Sequence, residues 1–69
     1  MSFKRTKVLR AFAAQGARVL REGAKHTTIV SVAGKRTSLP RHSELDRITV
    51  RKVAQQLGLD LARFDEDVR

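Results

Sequence analysis

His26 is the residue whose type and position most clearly suggest chemistry. It follows the turn of Gly23 to Lys25 and opens a run rich in β-branched residues, so the pattern predicts a histidine where a turn becomes a strand. A strand would fix the imidazole from one side, while Gly23 lets the backbone turn without steric cost. Because imidazole exchanges a proton readily near neutral pH, His26 is a candidate general acid or base.

Basic residues close to His26 favour a polyanionic substrate. Lys25 precedes it directly. Further cations lie on the neighbouring predicted strands and turns, namely Arg18, Arg21, Lys35 and Arg36. RNA carries its own nucleophile, the 2′-hydroxyl, so a catalyst needs only to move protons and to offset charge on the phosphate. The alternative is a strand histidine that forms only a local hydrogen bond, since one titratable residue does not define an active site.

A second histidine, His42, lies in the polar segment PRHS next to Arg41. This setting favours contact with phosphate over general-base catalysis. A structural role fits equally well, with the imidazole bonded to the backbone and Pro40 stiffening the exit from a strand. Catalysis by His42 is the third possibility.

The charge of the chain is strongly positive and unevenly spread. Fifteen Lys and Arg oppose seven Asp and Glu, which gives +8. Residues 1–43 contain ten basic side chains and one acidic one, Glu22, whereas the last ten residues contain four acids and two bases. Such a field attracts phosphate or an acidic protein. A solvated basic surface is the alternative, but a pI near 11.4 exceeds what solubility requires and favours a nucleic acid.

The composition argues against several other functions. The chain has no cysteine, which suits a reducing cytosol, and no run approaches the roughly 18 apolar residues that cross a bilayer. Two histidines without a carboxylate pair in the basic half do not make a common metal site. With three Phe and no Trp or Tyr, the core leaves little volume for a cofactor. We expect one cytoplasmic domain over 1–69, with no metal, cofactor or membrane contact and no DNA partner.

The first half of the chain reads as a helix followed by strands. A basic lead-in, Met1–Arg5, is predicted to fray, and Thr6 is predicted to cap a helix that Gly16 ends. The apolar residues of this helix recur at helical spacing: Val8, Leu9, Phe12 and Ala13. Strands are predicted over 17–22, 26–32 and 35–39, with Pro40 ending the last. Alternation does not decide whether the buried face of the second strand is that of His26 and Thr28 or that of Thr27 and Ile29.

The second half reads as a polar loop over 40–47 and two helices. Asp46 or Thr49 is predicted to cap a helix that ends at Gly58. Its apolar face contains Val50, Val53, Ala54 and Leu57. Asp60 then opens a short helix in which Leu61 and Phe64 are apolar. The order α-β-β-β-α with a short C-terminal helix predicts an α+β two-layer sandwich, with both main helices on one face of an antiparallel sheet.

Three segments resemble those of HicA-type mRNA interferase toxins of type II toxin-antitoxin systems. They are GAKH at 23–26, GKRTSLPRH at 34–42 and VRKVAQQLGL at 50–59, which occur in the family's order and at similar spacing. The resemblance extends from Thr6 to Phe64. It implies a double-stranded-RNA-binding-domain-like fold, cleavage of mRNA that stops translation, and neutralisation by a HicB-like antitoxin protein.

The resemblance also implies a role for His26. The family's catalytic histidine closes a motif similar to glycine, serine, asparagine or histidine, then histidine, and His26 occupies its last position. Here Ala24 replaces the serine and Lys25 precedes the histidine, so a hydroxyl is lost and a cation is gained. We expect these two differences to change the mechanism or to lower the rate of cleavage.

Our interpretation is a metal-independent endoribonuclease toxin in which His26 is the general acid or base. Gly23 supports the site through its turn. Phosphate is held or neutralised by the candidate RNA-binding residues, which are Lys25, Lys35, Arg36, Arg41 and His42. The alternatives are a non-catalytic RNA-binding module and a small basic subunit for an acidic protein partner.

Overall fold

The computed structural model describes residues 2–69, which form an α+β fold of three helices and five strands. In chain order the elements are β1 (Ser2–Lys4), α1 (Arg5–Ala14), β2 (Arg18–Glu22), β3 (His26–Val30), β4 (Arg36–Pro40), β5 (Glu44–Asp46), α2 (Arg47–Gln56) and α3 (Leu61–Asp67). The predicted order of helix, three strands, helix and short helix is confirmed. No helix within these residues has the length and apolar character to span a bilayer.

The central sheet is antiparallel, with the order β2-β3-β4. Burial shows which face of β3 packs inward, because Thr27 and Ile29 are both 0% exposed whereas His26 is exposed. Directly opposed residues of an antiparallel pair share a face. The face of Thr27 and Ile29, which also carries Leu39 of β4, therefore packs against the helices. We call this the inner face and the face of His26 the outer face.

Strand β3 is shorter than the sequence predicts, whereas β4 has the predicted length but runs over Arg36–Pro40 instead of 35–39. The second strand ends at Val30 rather than at residue 32, because Ser31 begins a tight turn. Its amide donates to the Lys35 carbonyl (2.9 Å), and its hydroxyl accepts from the Lys35 amide (3.1 Å). Val32 therefore lies in the turn, where it is 80% exposed.

A second, two-stranded sheet pairs β1 with β5 in antiparallel register, from Ser2 opposite Asp46 to Lys4 opposite Glu44. The prediction of a frayed lead-in and a polar loop is therefore wrong over these residues. The physical reason is Phe3, whose ring meets that of Phe64 edge-on at 6.4 Å and lies under the Arg47 guanidinium at 5.3 Å. Three-residue strands are too short for alternation to reveal them.

The core contains most of the apolar residues that the helical spacing selects, but Ala13 is exposed and Leu9 is only partly buried. Phe12 and Phe64 pack at its centre with their ring centroids 5.4 Å apart. Other residues of the two predicted apolar helix faces are also buried, namely Val8, Val50, Val53, Ala54 and Leu57. Phe64 is 0% exposed, so α3 contributes to the centre of the core.

The helix ends follow the predicted capping residues, with one exception. The Asp46 carboxylate accepts from the Thr49 amide and the Asp60 carboxylate from the Arg63 amide, each at 3.1 Å. The predicted cap at Thr6 is wrong, because β1 runs straight into α1 and helix begins at Arg5. The Arg5 amide donates instead to the Ser43 carbonyl at 2.9 Å.

Candidate functional site

His26 lies at the first position of β3, opposite Pro40, and faces an open cleft of about 500 Å³. The cleft is lined by the β2–β3 turn and the end of β4: Ala24, Lys25, His26, Pro40, Arg41 and His42. Both histidines are exposed, and neither imidazole forms a hydrogen bond or ion pair within residues 2–69. The alternative of a histidine engaged only in a local hydrogen bond therefore does not describe His26.

Backbone contacts of the β2–β3 turn fix the position of His26. The Gly23 amide donates to the His26 carbonyl at 2.8 Å. A Cβ atom at Gly23 would lie only 3.0 Å from that same oxygen, so a side chain here would be crowded. Gly23 therefore shapes the turn before His26 through close backbone approach and without a positive φ angle.

Arg41 closes the other side of the cleft and is itself held in place. Its guanidinium donates to the Gly23 carbonyl at 2.9 Å and lies 3.8 Å from a Glu22 carboxylate oxygen. Its amide donates to the Lys25 carbonyl at 3.4 Å. Arg41 therefore joins the exit of β4 to the turn before His26. By contrast, the Lys25 ammonium has no hydrogen bond or ion pair within the described part of the chain.

A polar network behind the cleft joins the ends of all three central strands. Arg5 donates to the Pro40 carbonyl at 3.0 Å and to the Thr27 hydroxyl at 2.5 Å. Its guanidinium also lies 3.2 Å from Glu22, which accepts a hydrogen bond from Thr27. The Arg5 side chain is only 17% exposed. One guanidinium thus contacts β2, β3 and β4 at the end of the sheet where the cleft is formed.

The electrostatics of this network centre on Glu22. The hydrogen bond from Thr27 lowers the pKa of the Glu22 carboxyl below its ordinary value, and the charges of Arg41 and Arg5 act in the same direction. Partial loss of hydration opposes them but is outweighed. Glu22 therefore stays ionised and balances the two arginines. The sequence offers one signal for this role, since Glu22 is the only acid among residues 1–43.

Two of the predicted RNA-binding residues lie away from the cleft. Arg36 pairs with Val30 at the opposite end of the β3–β4 hairpin. Arg36 lies four positions before Pro40, which corresponds to about 13 Å along a strand. The Lys35 side chain lies beside Gly58, after α2. The structure therefore brings Lys25, His26, Arg41 and His42 together and does not bring Lys35 and Arg36 to them.

Arg18 and Arg21 of β2 share the outer face with His26 and Arg36, which the sequence alone does not show. In the ladder, Arg18 lies opposite Val30 and Arg21 opposite Thr28. These arginines are three residues apart, so simple alternation would put them on opposite faces. An irregularity at Leu20, between Val19 and Arg21, brings both to the outer face. No local sequence signal marks this bulge.

The described residues contain no group of three or more His, Asp and Glu side chains that could hold a metal ion. The chemistry available at the cleft is therefore that of two imidazoles and of cations on a solvent-accessible surface. Imidazole can exchange protons with a bound substrate, and Lys25 can offset negative charge that develops there.

The fold and the cleft define a small basic α+β domain with accessible histidines at one end of the central sheet. A comparison with protein-family models finds no match to this chain, and a search of curated proteins finds no relative. Assignment to a family therefore depends on the motifs at Gly23–His26, 34–42 and 50–59.

Proposed function

We propose that this protein is a metal-independent endoribonuclease of the HicA type, with His26 as a catalytic residue. The observation that carries the proposal is the His26 imidazole, which has no hydrogen-bond partner within residues 2–69 and lies at a strand start, in an open cleft beside Lys25. The helix and strand order agrees with the double-stranded-RNA-binding-domain-like fold that the resemblance implies. RNA is the expected substrate because its 2′-hydroxyl supplies the nucleophile that this cleft lacks.

The reaction proceeds by attack of the 2′-oxygen on the adjacent phosphorus. An imidazole takes the 2′-hydroxyl proton as the bond from 2′-oxygen to phosphorus forms. The bond from phosphorus to the 5′-oxygen breaks, and the leaving oxygen receives a proton from a second acid. The products are a 2′,3′-cyclic phosphate and a 5′-hydroxyl. His42 lines the same cleft as His26 and is a candidate for the second proton-transfer group, with either residue as base.

The cations of the cleft have different tasks in this scheme. Lys25 is free to approach the phosphate and to stabilise its additional negative charge in the transition state. Arg41 is bonded to Gly23 and Glu22, so its first task is to hold the cleft open in the correct shape. Ala24 supplies no hydroxyl, which leaves Lys25 as the side chain of this turn that assists His26 chemically.

RNA cleavage tests the proposal directly. Replacing His26 by Ala is expected to reduce cleavage by about 10² to 10⁴, the usual contribution of a general acid or base. Folding and RNA affinity are expected to change little, because one exposed ring adds little to a surface dominated by Lys and Arg. The products are expected to end in 2′,3′-cyclic phosphate, and chelators to have no effect.

Two controls accompany this experiment. His42→Ala removes the other imidazole of the cleft, and a loss comparable to that of His26→Ala would support a two-histidine mechanism. Unfolding by denaturant shows whether each variant retains the parent stability. Cleavage by folded His26→Ala within a few-fold of the parent rate would show that His26 is not catalytic and would transfer the assignment to His42.

The proposed biological setting is a cytoplasmic toxin-antitoxin pair. Cleavage of mRNA would stop translation, and a HicB-like antitoxin would neutralise the protein. A gene for such an antitoxin beside that of this chain is the genomic observation that bears on this part of the proposal.

An RNA-binding module without catalysis is the second candidate, favoured by a specific observation. The outer face carries Arg18, Arg21 and Arg36, which form no ion pairs within residues 2–69. These cations could follow an RNA backbone whether or not His26 acts on it. Salt-sensitive RNA binding without cleavage would support this candidate, and absence of binding would favour a basic subunit for an acidic protein.

A further inference from the structure

Strand β2 is the most exposed element of the central sheet. All five of its residues, Arg18–Glu22, are exposed, including the apolar Val19 (39%) and Leu20 (40%). The strand lies at the edge of the order β2-β3-β4. Within residues 2–69, no backbone hydrogen bond joins its free edge to another segment. Unpaired amides and carbonyls along such an edge can pair with a further strand.

An apolar groove of about 200 Å³ lies beside this edge, between α1 and the inner face of the sheet. Leu9, Phe12 and Ala13 line it from the helix, and Val19 and Ile29 line it from the strands. Of the strand residues that line it, Ile29 is fully buried, whereas the edge residue Val19 remains 39% exposed. It shares no lining residue with the cleft at His26.

The two faces of β2 define what could add to it. The bulge at Leu20 puts Arg18 and Arg21 on the outer face, while Val19 faces inward opposite Ile29. A strand paired with β2 would alternate its side chains between these faces. Its inward side chains would enter the groove beside Val19, and its outward side chains would lie next to the arginines. The matching sequence alternates apolar and acidic residues.

We propose that the β2 edge and its groove form a docking surface for an extended acidic and apolar segment of a partner protein, which binds as a fourth strand. A second copy of this chain fits poorly, because pairing of two β2 edges would bring Arg18 and Arg21 against the same residues of the other copy. RNA does not fit either, since it has no peptide backbone to continue the ladder and the groove offers it apolar contacts. The surface is independent of the proposed ribonuclease activity.

The test uses a synthetic eight-residue peptide of alternating Glu and Val, acetylated and amidated at its ends. Binding is followed by NMR of the full-length protein, with the expectation that the amides of Arg18–Glu22 shift and exchange more slowly with solvent. A peptide of equal charge with two central prolines cannot form the ladder and is expected to bind at least about tenfold more weakly. A peptide of alternating Gln and Val tests whether the negative charge of the peptide contributes to binding. It is expected to bind more weakly than the Glu and Val peptide.

A pair of matched variants locates the binding site on the protein. Ala13→Glu places a negative charge at the groove and is expected to weaken binding of the Glu and Val peptide by about tenfold or more. Ala62→Glu places the same charge on an exposed position of α3 and is expected to have little effect. Circular dichroism confirms that both variants fold.

Several outcomes would overturn the proposal. If the proline peptide binds as tightly as the Glu and Val peptide, no strand is added to the sheet. If the Gln and Val peptide binds as tightly, the arginines do not contribute to binding. Shifts centred on His26 and His42 would place the acidic peptide in the cleft instead. Concentration-dependent dimerisation through β2 without peptide would identify a second copy as the occupant.

Discussion

The two ends of the central sheet contain similar basic residues in different circumstances. At the end that carries the cleft, Arg5 and Arg41 are bonded to Glu22 and to backbone carbonyls. At the other end, which contains the turn of Ser31 to Lys35, Arg18 and Arg36 have no ion pair within the described residues. The arginines of the first end are engaged within the fold, whereas those of the second end are available to a ligand.

This difference shows that the number of cations does not give the number available to bind a ligand. Arg5 and Arg41 compensate the single acid of the basic half and shape the cleft. Arg18 and Arg36 remain available because no acid lies near them in the ladder. Substitutions at the two ends should therefore affect different properties: stability and catalysis at the cleft end, and salt-dependent affinity at the other.

The largest contrast in stability is expected between Arg5→Met and Arg36→Met. Arg5 is largely buried, so its loss removes the hydrogen-bond donor of the Pro40 carbonyl and one partner of Thr27. Leaving such groups unsatisfied costs about 1–3 kcal/mol. Arg36 is exposed, and its replacement is expected to change stability by about 0.5 kcal/mol or less. Urea unfolding of both variants measures the difference.

The rate of RNA cleavage by the Arg5→Met variant provides a second comparison between the two ends of the sheet. We expect a loss of activity even under conditions where the variant is folded, because three strand ends lose their common partner. Equal stability of Arg5→Met and Arg36→Met would contradict the view that the cleft end is held together by Arg5.

Acidification is expected to weaken the cleft end through Glu22. Because the folded state lowers the pKa of this carboxyl, Glu22 contributes stability that is present above the ordinary glutamate pKa and is lost as pH falls through the lowered pKa. The stability advantage of the parent over Glu22→Gln should therefore be largest near neutral pH and shrink in acid. Glu66→Gln on α3 is the charge-matched control. A pH-independent difference between parent and Glu22→Gln would contradict this linkage.

The smallest expected effect concerns the salt dependence of RNA binding. If the outer face contacts phosphate, Arg36→Gln should reduce the slope of log affinity against log salt by about 0.7, the value for one contact with a single strand. Lys35→Gln is the neighbouring control, since Lys35 lies beside Gly58 instead of on the outer face. Equal reductions for the two variants would show that RNA is not confined to that face.

Local sequence patterns are sufficient to predict the three helices and the order of the helices and the three central strands. Val50, Val53 and Leu57 repeat at helical spacing, and Asp46 and Asp60 cap helices as predicted. These features depend on residues within one or two turns of each other. The grouping of Gly23, His26 and Arg41 at one cleft also agrees with the prediction, because a short turn and a hairpin bring them together.

Features set by distant contacts could not be predicted in this way. The pairing of β1 with β5 depends on Phe3 packing against Phe64, and the outward direction of Arg21 depends on a bulge. Charge alone groups Lys35 and Arg36 with His26. In the structure, the strand register places Arg36 at the opposite end of the hairpin, and the Lys35 side chain lies beside Gly58. Register and bulges are properties of paired strands, so a single strand sequence does not reveal them.

The contact between Phe3 and Phe64 has a consequence for synthesis of the protein. Ribosomes release the N-terminal segment first, so β1 and Arg5 emerge well before α3. Until Phe64 has also emerged, Phe12 lacks its central partner in the core and Phe3 lacks the ring it packs against. The strand ends joined by Arg5 therefore gain their full support only after Phe64 has emerged. A nascent chain that has not yet released Phe64 would have an incomplete cleft.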